Sequence, residues 1–291
     1  MLNSETSSET NSAAETEALL QTVREQLILH TFDSNNQQLL KQMVESLGDS
    51  RGTIRLGFAE ALGQVGKPAV PLLLDALSHH ANVVVRRAAA KTLTLIADPQ
   101  AVPDLIDALL TDEDTVVKGS AVGALARTGE AAVPALLEIL SSPELPESTK
   151  GHASWALAFI GAEVKEILYR EIASESADVR VAVVGALAKV AQDAPEEKTF
   201  QILIDALGDR ESMVRCEAAA VLGNLSYQPA FPQLVELLPH ADGETRKAAA
   251  LALMKLGDRT ALVPLRAALE RESETMVRRS LELAISQIDK P

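Results

Sequence analysis

The most regular pattern in the chain is a helical stretch that recurs with small changes in composition. In VVVRRAAAKTLTLIAD, residues 83–98, apolar positions follow the three- and four-residue spacing of an amphipathic helix. A basic residue one turn into this helix returns at steps of 30 to 35 residues. It stands at Arg55, Arg86, Lys118, Lys150, Arg180, Arg215, Arg246 and Arg278. Such a period predicts a solenoid, because each short repeat can bury its apolar face only against its neighbours.

Each period predicts two helices joined by a short polar turn. The first repeat reads QQLLKQMVESL, then GDSRG, then TIRLGFAEALGQVG, within residues 37–66. Proline opens most first helices, where its missing N–H costs no hydrogen bond and its φ is already helical. These prolines are Pro71, Pro103, Pro134, Pro232 and Pro264. Glycines that predict left-handed caps end several second helices, at Gly66, Gly129, Gly161 and Gly257.

The predicted fold is therefore all-α, a right-handed α-solenoid superhelix of about eight helix pairs with an N-terminal capping helix. We expect the repeats to fill residues 37–291. Residues 15–36 contain apolar positions at helical spacing, including Leu20 and Val23, and predict the capping helix. Residues 1–14 are mostly Ser, Thr, Glu and Asn with little to bury, so we expect a disordered acidic tail.

Charge and composition narrow the class of protein. Lys and Arg number 27 against 41 Asp and Glu, a net charge of −14 that argues against nucleic-acid binding. The only cysteine, Cys216, excludes an intramolecular disulfide and suits a reducing compartment. MLNSETSSET lacks the basic and apolar regions of a secretory signal, and no apolar run approaches the roughly 18 residues of a membrane span. We expect a soluble cytoplasmic protein.

Counting each second helix from its basic residue as position zero lets the repeats be compared column by column. Positions +3 and +7 are apolar almost throughout, as at Phe58 and Leu62, and are predicted to form the core. Positions +2, +5 and +9 vary in polarity and lie along one stripe away from that core. In stacked helix pairs the second helices line the concave surface, which is the usual binding face.

The fourth repeat fills this variable stripe with aromatic residues. It carries His152 at +2, Trp155 at +5 and Phe159 at +9, and Trp155 is the only tryptophan in the chain. The neighbouring repeats carry glycines at +5 and cations at +9, namely Gly123, Gly185, Arg127 and Lys189. This combination suits a planar, carboxylate-bearing ligand or the binding hot spot of a partner. The alternative is that Trp155 and Phe159 pack against the long turn SSPELPEST of the same repeat.

The sequence contains no catalytic constellation that we can identify. CxxC, HExxH, P-loop and GxSxG motifs are absent, and the histidines are scattered over different repeats. The adjacent His79 and His80 do not share a face, which argues against a metal site. Cys216 is predicted to be a small apolar filler. The recurring basic residues are predicted to pair with acidic residues of neighbouring turns, and whether the protein is an enzyme stays open.

The repeat pattern resembles a known superfamily. Ala-Val-Pro-x-Leu, an acidic turn and Val-Arg-x-x-Ala-Ala-x-Ala-Leu together resemble HEAT repeats. The Gly257–Asp258 link between repeats is similar to the short PBS-lyase HEAT-like subtype, of roughly 30 residues. That subtype is typical of the cyanobacterial phycobilin lyase E/F family and of the phycobilisome-degradation protein NblB. The resemblance covers about residues 37–289.

This resemblance implies a protein that binds phycobiliprotein subunits, and with them a phycocyanobilin-type bilin, on its concave face. The implied work is phycobilisome degradation, or attachment and detachment of the chromophore. A lyase-like activity follows from the resemblance alone, and eight repeats in one chain favour the degradation relative over one half of a two-subunit lyase. The residues expected to contact bilin or partner are His152, Trp155, Phe159, Arg127 and Lys189. The alternative is a protein–protein interaction scaffold for complex assembly without bilin chemistry.

Overall fold

The structure is a computed structural model that describes residues 13–290. These residues form seventeen α-helices and several short 3-10 turns, and no strand occurs among them. Helix α1 (Ala13–Ile28) precedes eight helix pairs. The first four pairs are α2 (Gln37–Glu45) with α3 (Gly52–Val65), α4 (Val70–His79) with α5 (Val83–Ile96), α6 (Val102–Thr111) with α7 (Thr115–Arg127), and α8 (Val133–Ser141) with α9 (Glu147–Ile160). The other four are α10 (Lys165–Glu171) with α11 (Ala177–Asp193), α12 (Glu197–Asp205) with α13 (Ser212–Asn224), α14 (Phe231–Glu236) with α15 (Gly243–Leu256), and α16 (Leu262–Arg271) with α17 (Thr275–Ile288).

The helices form two compact units. The N-terminal unit, within residues 13–132, contains α1–α7, and the C-terminal unit, within residues 133–290, contains α8–α17. Within each unit the two helices of a pair pack together, and successive second helices pack side by side. Helix α1 packs against α3, the second helix of the first pair. The predicted all-α solenoid of eight HEAT-like pairs is confirmed. The tail predicted at 1–14 lies outside the described residues, apart from Ala13 and Ala14 in α1.

Burial follows the columns predicted from the sequence. Position +3 is buried in all eight second helices, and position +7 is buried in all of them except at Ile285, which is half-buried. Position +9 is exposed in all eight. A leucine side chain at +7 contributes about 1.5–3 kcal/mol by leaving water, so this column holds consecutive second helices together. The +9 column forms surface throughout, the +5 column is exposed or half-buried, and the +2 column is half-buried except at Gly57 and Ala182, which are buried.

Proline and glycine mark the helix ends as expected. Proline is the second residue of α4, α6, α8 and α14, and the third residue of α16. Backbone φ is positive at all four predicted cap glycines. Gly257 has the left-handed conformation expected of such a cap, whereas Gly66 and Gly161 combine a positive φ with a strongly negative ψ. The caps are therefore of two kinds, and both need the conformational freedom of glycine.

The recurring basic residues connect consecutive repeats. Arg246 donates from Nε and Nη2 to the two carboxylate oxygens of Glu272, at 2.7 and 2.9 Å. The same guanidinium donates from Nη1 to the backbone carbonyls of His240 and Ala241, at the turn of its own repeat. Lys150 makes the equivalent ion pair with Asp178 at 2.5 Å. The predicted pairing with an acid of the next repeat is present at five of the eight basic residues, Arg86, Lys150, Arg180, Arg215 and Arg246. Arg55 and Lys118 donate to backbone carbonyls of their own repeats, and Arg278 pairs with Glu282 on its own helix.

Candidate functional site

The core positions of α9 turn its two aromatic residues outward. Ala153 and Leu157 are fully buried at +3 and +7, so the helix presents Trp155 and Phe159 on its opposite side. The two rings are four residues apart and stack on each other, with centroids 5.6 Å apart and planes inclined by 29°. Helical spacing thus produces one continuous aromatic surface, which we call the aromatic pair.

The aromatic pair is open to solvent. Trp155 keeps 53% of its surface exposed and Phe159 keeps 51%. Nearly half of each residue is therefore covered, and the other half is in contact with solvent. A half-exposed tryptophan beside a half-exposed phenylalanine presents apolar area that folding has left in water, and such residues are enriched at the centres of binding interfaces.

His152 and Lys189 lie in the same unit as the aromatic pair. His152 is half-buried on α9, one turn before Trp155 in the helix. Lys189 lies on α11, and its aliphatic stem packs beside Gly161 at the end of α9, with Cγ 3.3 Å from an ideal Cβ on that glycine. Its ammonium group donates to Asp193 Oδ1 at 2.6 Å. The ammonium group of Lys189 is near the predicted site, but it already pairs with Asp193 on the same helix.

Arg127 belongs to the other compact unit. It is the last residue of α7, it is exposed, and none of the ion pairs among residues 13–290 includes it. The structure therefore brings Trp155 and Phe159 into contact and places His152 and Lys189 in the same unit. It describes Arg127 as an exposed cation of the N-terminal unit.

One acidic residue of the second-helix stripe was missed by the sequence analysis. Glu217 stands at position +2 of α13, and its Oε1 lies 3.5 Å from where a Cβ on Gly185 would be. It forms no ion pair or hydrogen bond with residues 13–290, and burial raises the pKa of its carboxyl group. The signal was present in the +2 column, where Glu217 is the only acidic residue among the eight repeats.

An apolar groove of about 220 Å³ lies between α13 and α15. Ala220, Leu251 and Met254 line it, and Lys255 stands at the same groove. Cys216 also lines the groove, where burial raises the pKa of its thiol, so the thiol stays protonated at neutral pH. This placement agrees with the prediction of a small apolar filler, although the residue is half-buried and not fully enclosed.

A larger cavity of about 410 Å³ lies in the same unit and near α14 and α16. Its walls include Arg246 and Glu272, which already bind each other as part of the contacts between repeats. Residues 13–290 contain no group of three or more His, Cys, Asp or Glu side chains that could hold a metal ion. In the same range, no helix combines the length and apolar character needed to cross a membrane.

Family models match most of the solenoid. A model of HEAT repeats matches residues 70–158 and 200–286, which together make up more than half of the chain. A model of the PBS lyase HEAT-like repeat matches residues 54–79. The first match confirms the superfamily, and the second confirms the narrower repeat subtype.

The chain is also similar to a curated protein and to solved structures. It is 36% identical over 273 residues to the bilin biosynthesis protein MpeU of Synechococcus sp. (strain WH8020), covering 93% of this chain and 92% of that protein. A Kap121p mutant superposes with a TM-score of 0.61 at 14% identity, covering 97% of this chain and 38% of that one. Kap121p bound to Nup53p gives 0.58 at 15% identity, covering 95% and 36%. The last two similarities support the solenoid fold alone. The chain therefore belongs to the HEAT-repeat proteins of the PBS-lyase HEAT-like subtype, in the phycobilin lyase family that includes MpeU.

Proposed function

We propose that this protein binds a phycobiliprotein together with its open-chain bilin, and that the aromatic pair on α9 forms the centre of the binding surface. The work of the protein is then chromophore attachment or detachment, or phycobilisome degradation of the kind associated with NblB. This work takes place in the cytoplasm of a cyanobacterium. The family relationship to MpeU, a bilin biosynthesis protein, supports a bilin-lyase-like role.

The exposed aromatic pair is the single observation that connects the proposed function with particular residues. A bilin is a flat conjugated chain of pyrrole rings, and flat rings pack on exposed aromatic faces. Trp155 and Phe159 form such a face with centroids 5.6 Å apart, and just over half of each residue is exposed. On a solenoid the second-helix surface is the usual binding face, so we assign the concave surface to the partner.

His152 and Lys189 fit the edges of this surface. The ammonium group of Lys189 can exchange Asp193 for a propionate carboxylate of the pigment, because an exposed ion pair of this kind contributes little free energy. Arg127 is proposed as a contact to the protein partner from the N-terminal unit. No side chain is proposed as a nucleophile, since a bilin transferred to a cysteine of the phycobiliprotein would use the thiol of the acceptor.

The test is a visible absorption titration of the purified full chain with phycocyanobilin. Binding should shift the absorption bands to the red and change the fluorescence, because a flexible chromophore becomes extended and shielded. A second arm measures co-purification with phycobiliprotein subunits from cyanobacterial extract. The absence of a spectral change together with the absence of a co-purifying phycobiliprotein would reject the proposal in favour of a scaffold without bilin chemistry.

A further inference from the structure

The side-chain cover of the second-helix face has a gap on α11, which packs against the helix of the aromatic pair. Gly185 stands at position +5 of α11, and a Cβ built there would meet only Glu217 Oε1 within 4 Å. We call this gap the Gly185 notch. Glycine inside a helix costs about 0.5–1 kcal/mol relative to alanine, and φ at Gly185 does not require glycine. The helix therefore gives up stability at a position where the Cβ of an alanine would fit.

The notch lies on α11, the helix that packs against the helix of the aromatic pair. Gly161 at position +11 of α9 lies against Lys189 at +9 of α11, and Gly185 at +5 lies against Glu217 at +2 of α13. In these two contacts the later helix is shifted by two or three positions relative to the one before it. Helix α9 packs against α11, and α11 packs against α13, so Gly185 stands on the helix next to the aromatic pair and Glu217 stands on the helix after it.

Glu217 lies on the far side of the notch, and its carboxyl group has no partner among residues 13–290. The side chain is half-buried, forms no ion pair or hydrogen bond with residues 13–290, and is removed from water far enough that its pKa is raised. Most acids of the repeat turns are paired, as Asp178 and Glu272 show. Partial burial without a donor from the protein makes the ionised carboxyl group less favourable than it is in water, and a donor supplied by a ligand would offset part of that cost.

We propose that Glu217 accepts hydrogen bonds from the pyrrole N–H groups of an open-chain tetrapyrrole that lies on the aromatic pair and crosses the Gly185 notch. This inference rests on the proposed function and adds to it the residue that recognises the nitrogens of the ligand. An ionised carboxyl group is an acceptor without donors, so it suits ring N–H groups and rejects carbonyl or carboxylate edges. Beyond Glu217 the groove lined by Ala220 and Leu251 extends the apolar surface along α13 and α15.

Substitutions of Glu217 separate this role from a structural one. Glu217→Leu removes the acceptor and Glu217→Gln keeps an acceptor without charge. Both remove an unpaired carboxyl group, so neither should lower the melting temperature. In an absorption titration with phycocyanobilin, Glu217→Leu should weaken binding roughly tenfold, the effect of losing one charge-assisted hydrogen bond, with Glu217→Gln between it and the wild type. Glu236→Gln, on an exposed position of α14, is the matched control and should bind as the wild type does.

Filling the notch provides an independent test. Gly185→Leu should abolish pigment binding while leaving the helical circular dichroism unchanged, because leucine is a better helix former than glycine. Gly119→Leu, an exposed second-helix glycine with open space around its Cβ, is the control and should have no effect on binding.

The outcomes distinguish this inference from the proposed function. If Glu217→Leu binds phycocyanobilin as tightly as the wild type while Trp155→Ala binds it more weakly, the role of Glu217 is rejected and the proposed function stands. If Glu217→Leu weakens only the association with phycobiliprotein, the carboxyl group pairs with a cation of the protein partner, and the inference is also rejected. If the wild type itself binds neither pigment nor phycobiliprotein, both proposals fail.

Discussion

The guanidinium group of Arg180 binds the carboxylate of Asp209, 29 residues further along the chain, through two hydrogen bonds of 2.8 Å. Its third nitrogen, Nη1, donates to the backbone carbonyls of Ser174 and Glu175 in the turn of its own repeat. One side chain therefore binds the backbone carbonyls in the turn of its own repeat and the carboxylate in the turn of the next repeat. The side chain of Arg180 is buried, so this arrangement differs from an ordinary surface ion pair.

We predict that Arg180→Met destabilises the C-terminal unit by about 3 kcal/mol. The substitution keeps the apolar stem but leaves Asp209 and two backbone carbonyls without their donor, and breaking one side of a buried pair is costly. Urea unfolding followed by circular dichroism measures the change. Arg210→Met removes an exposed pair with Glu175 and should leave the midpoint close to that of the wild type. Equal midpoints for the two variants would contradict this view of the contacts between repeats.

Acid should selectively weaken the contact between Arg246 and Glu272. Hydrogen bonds from Arg246 lower the pKa of Glu272 from its ordinary 4.5 to about 2. Because the folded pKa is depressed, the stabilisation is complete above pH about 4.5 and is lost as the pH falls towards 2. The melting temperature of Glu272→Gln should therefore lie below that of the wild type at neutral pH. This difference in melting temperature should shrink as the pH falls from about 4.5 to about 2.

The matched control for this titration is Glu270→Gln, an exposed position on α16. It should follow the wild type at every pH. A difference between wild type and Glu272→Gln that stays constant from pH 7 to 2 would show that the carboxylate does not contribute through its charge.

Truncation to alanine should lower the stability of the protein at Phe58 but not at Trp155. Phe58 occupies the +3 core position of α3 and is fully buried, so Phe58→Ala should cost about 3–5 kcal/mol in unfolding free energy. Trp155 is more than half exposed, and Trp155→Ala should change the unfolding midpoint little. Thermal unfolding of the two variants checks this contrast. If Trp155→Ala unfolds the protein, the aromatic pair is part of the packing and does not form a free surface.

The solenoid could be predicted because its determinants are local and periodic. Leu62, Leu93 and their equivalents recur at a fixed interval, and burial of one column is enough to fix which face of each second helix turns inward. The aromatic pair could be located for the same reason, since Trp155 and Phe159 interrupt a stripe whose orientation was already known.

Contacts that depend on the stagger between helices could not be predicted. Comparing repeats at equal positions places Gly185 beside Trp155, whereas the contacts of Gly161 and Gly185 indicate a shift of two or three residues between helices. That shift brings Glu217 to the notch and assigns Lys189 to the end of α9. The stagger is set by side-chain packing between helices, which a column comparison does not contain.

The measurement that tests the account most directly is the affinity of Trp155→Ala for phycocyanobilin, compared with that of Leu95→Ala. Leu95 is an exposed apolar residue at position +9 of α5, with 59% of its surface in solvent, so it controls for the loss of apolar surface in general. We predict that Trp155→Ala weakens the absorption change at least tenfold, the loss expected at the centre of an interface, and that Leu95→Ala leaves it unchanged. Equal affinities for the wild type and both variants would contradict the central claim that the aromatic pair is the binding site.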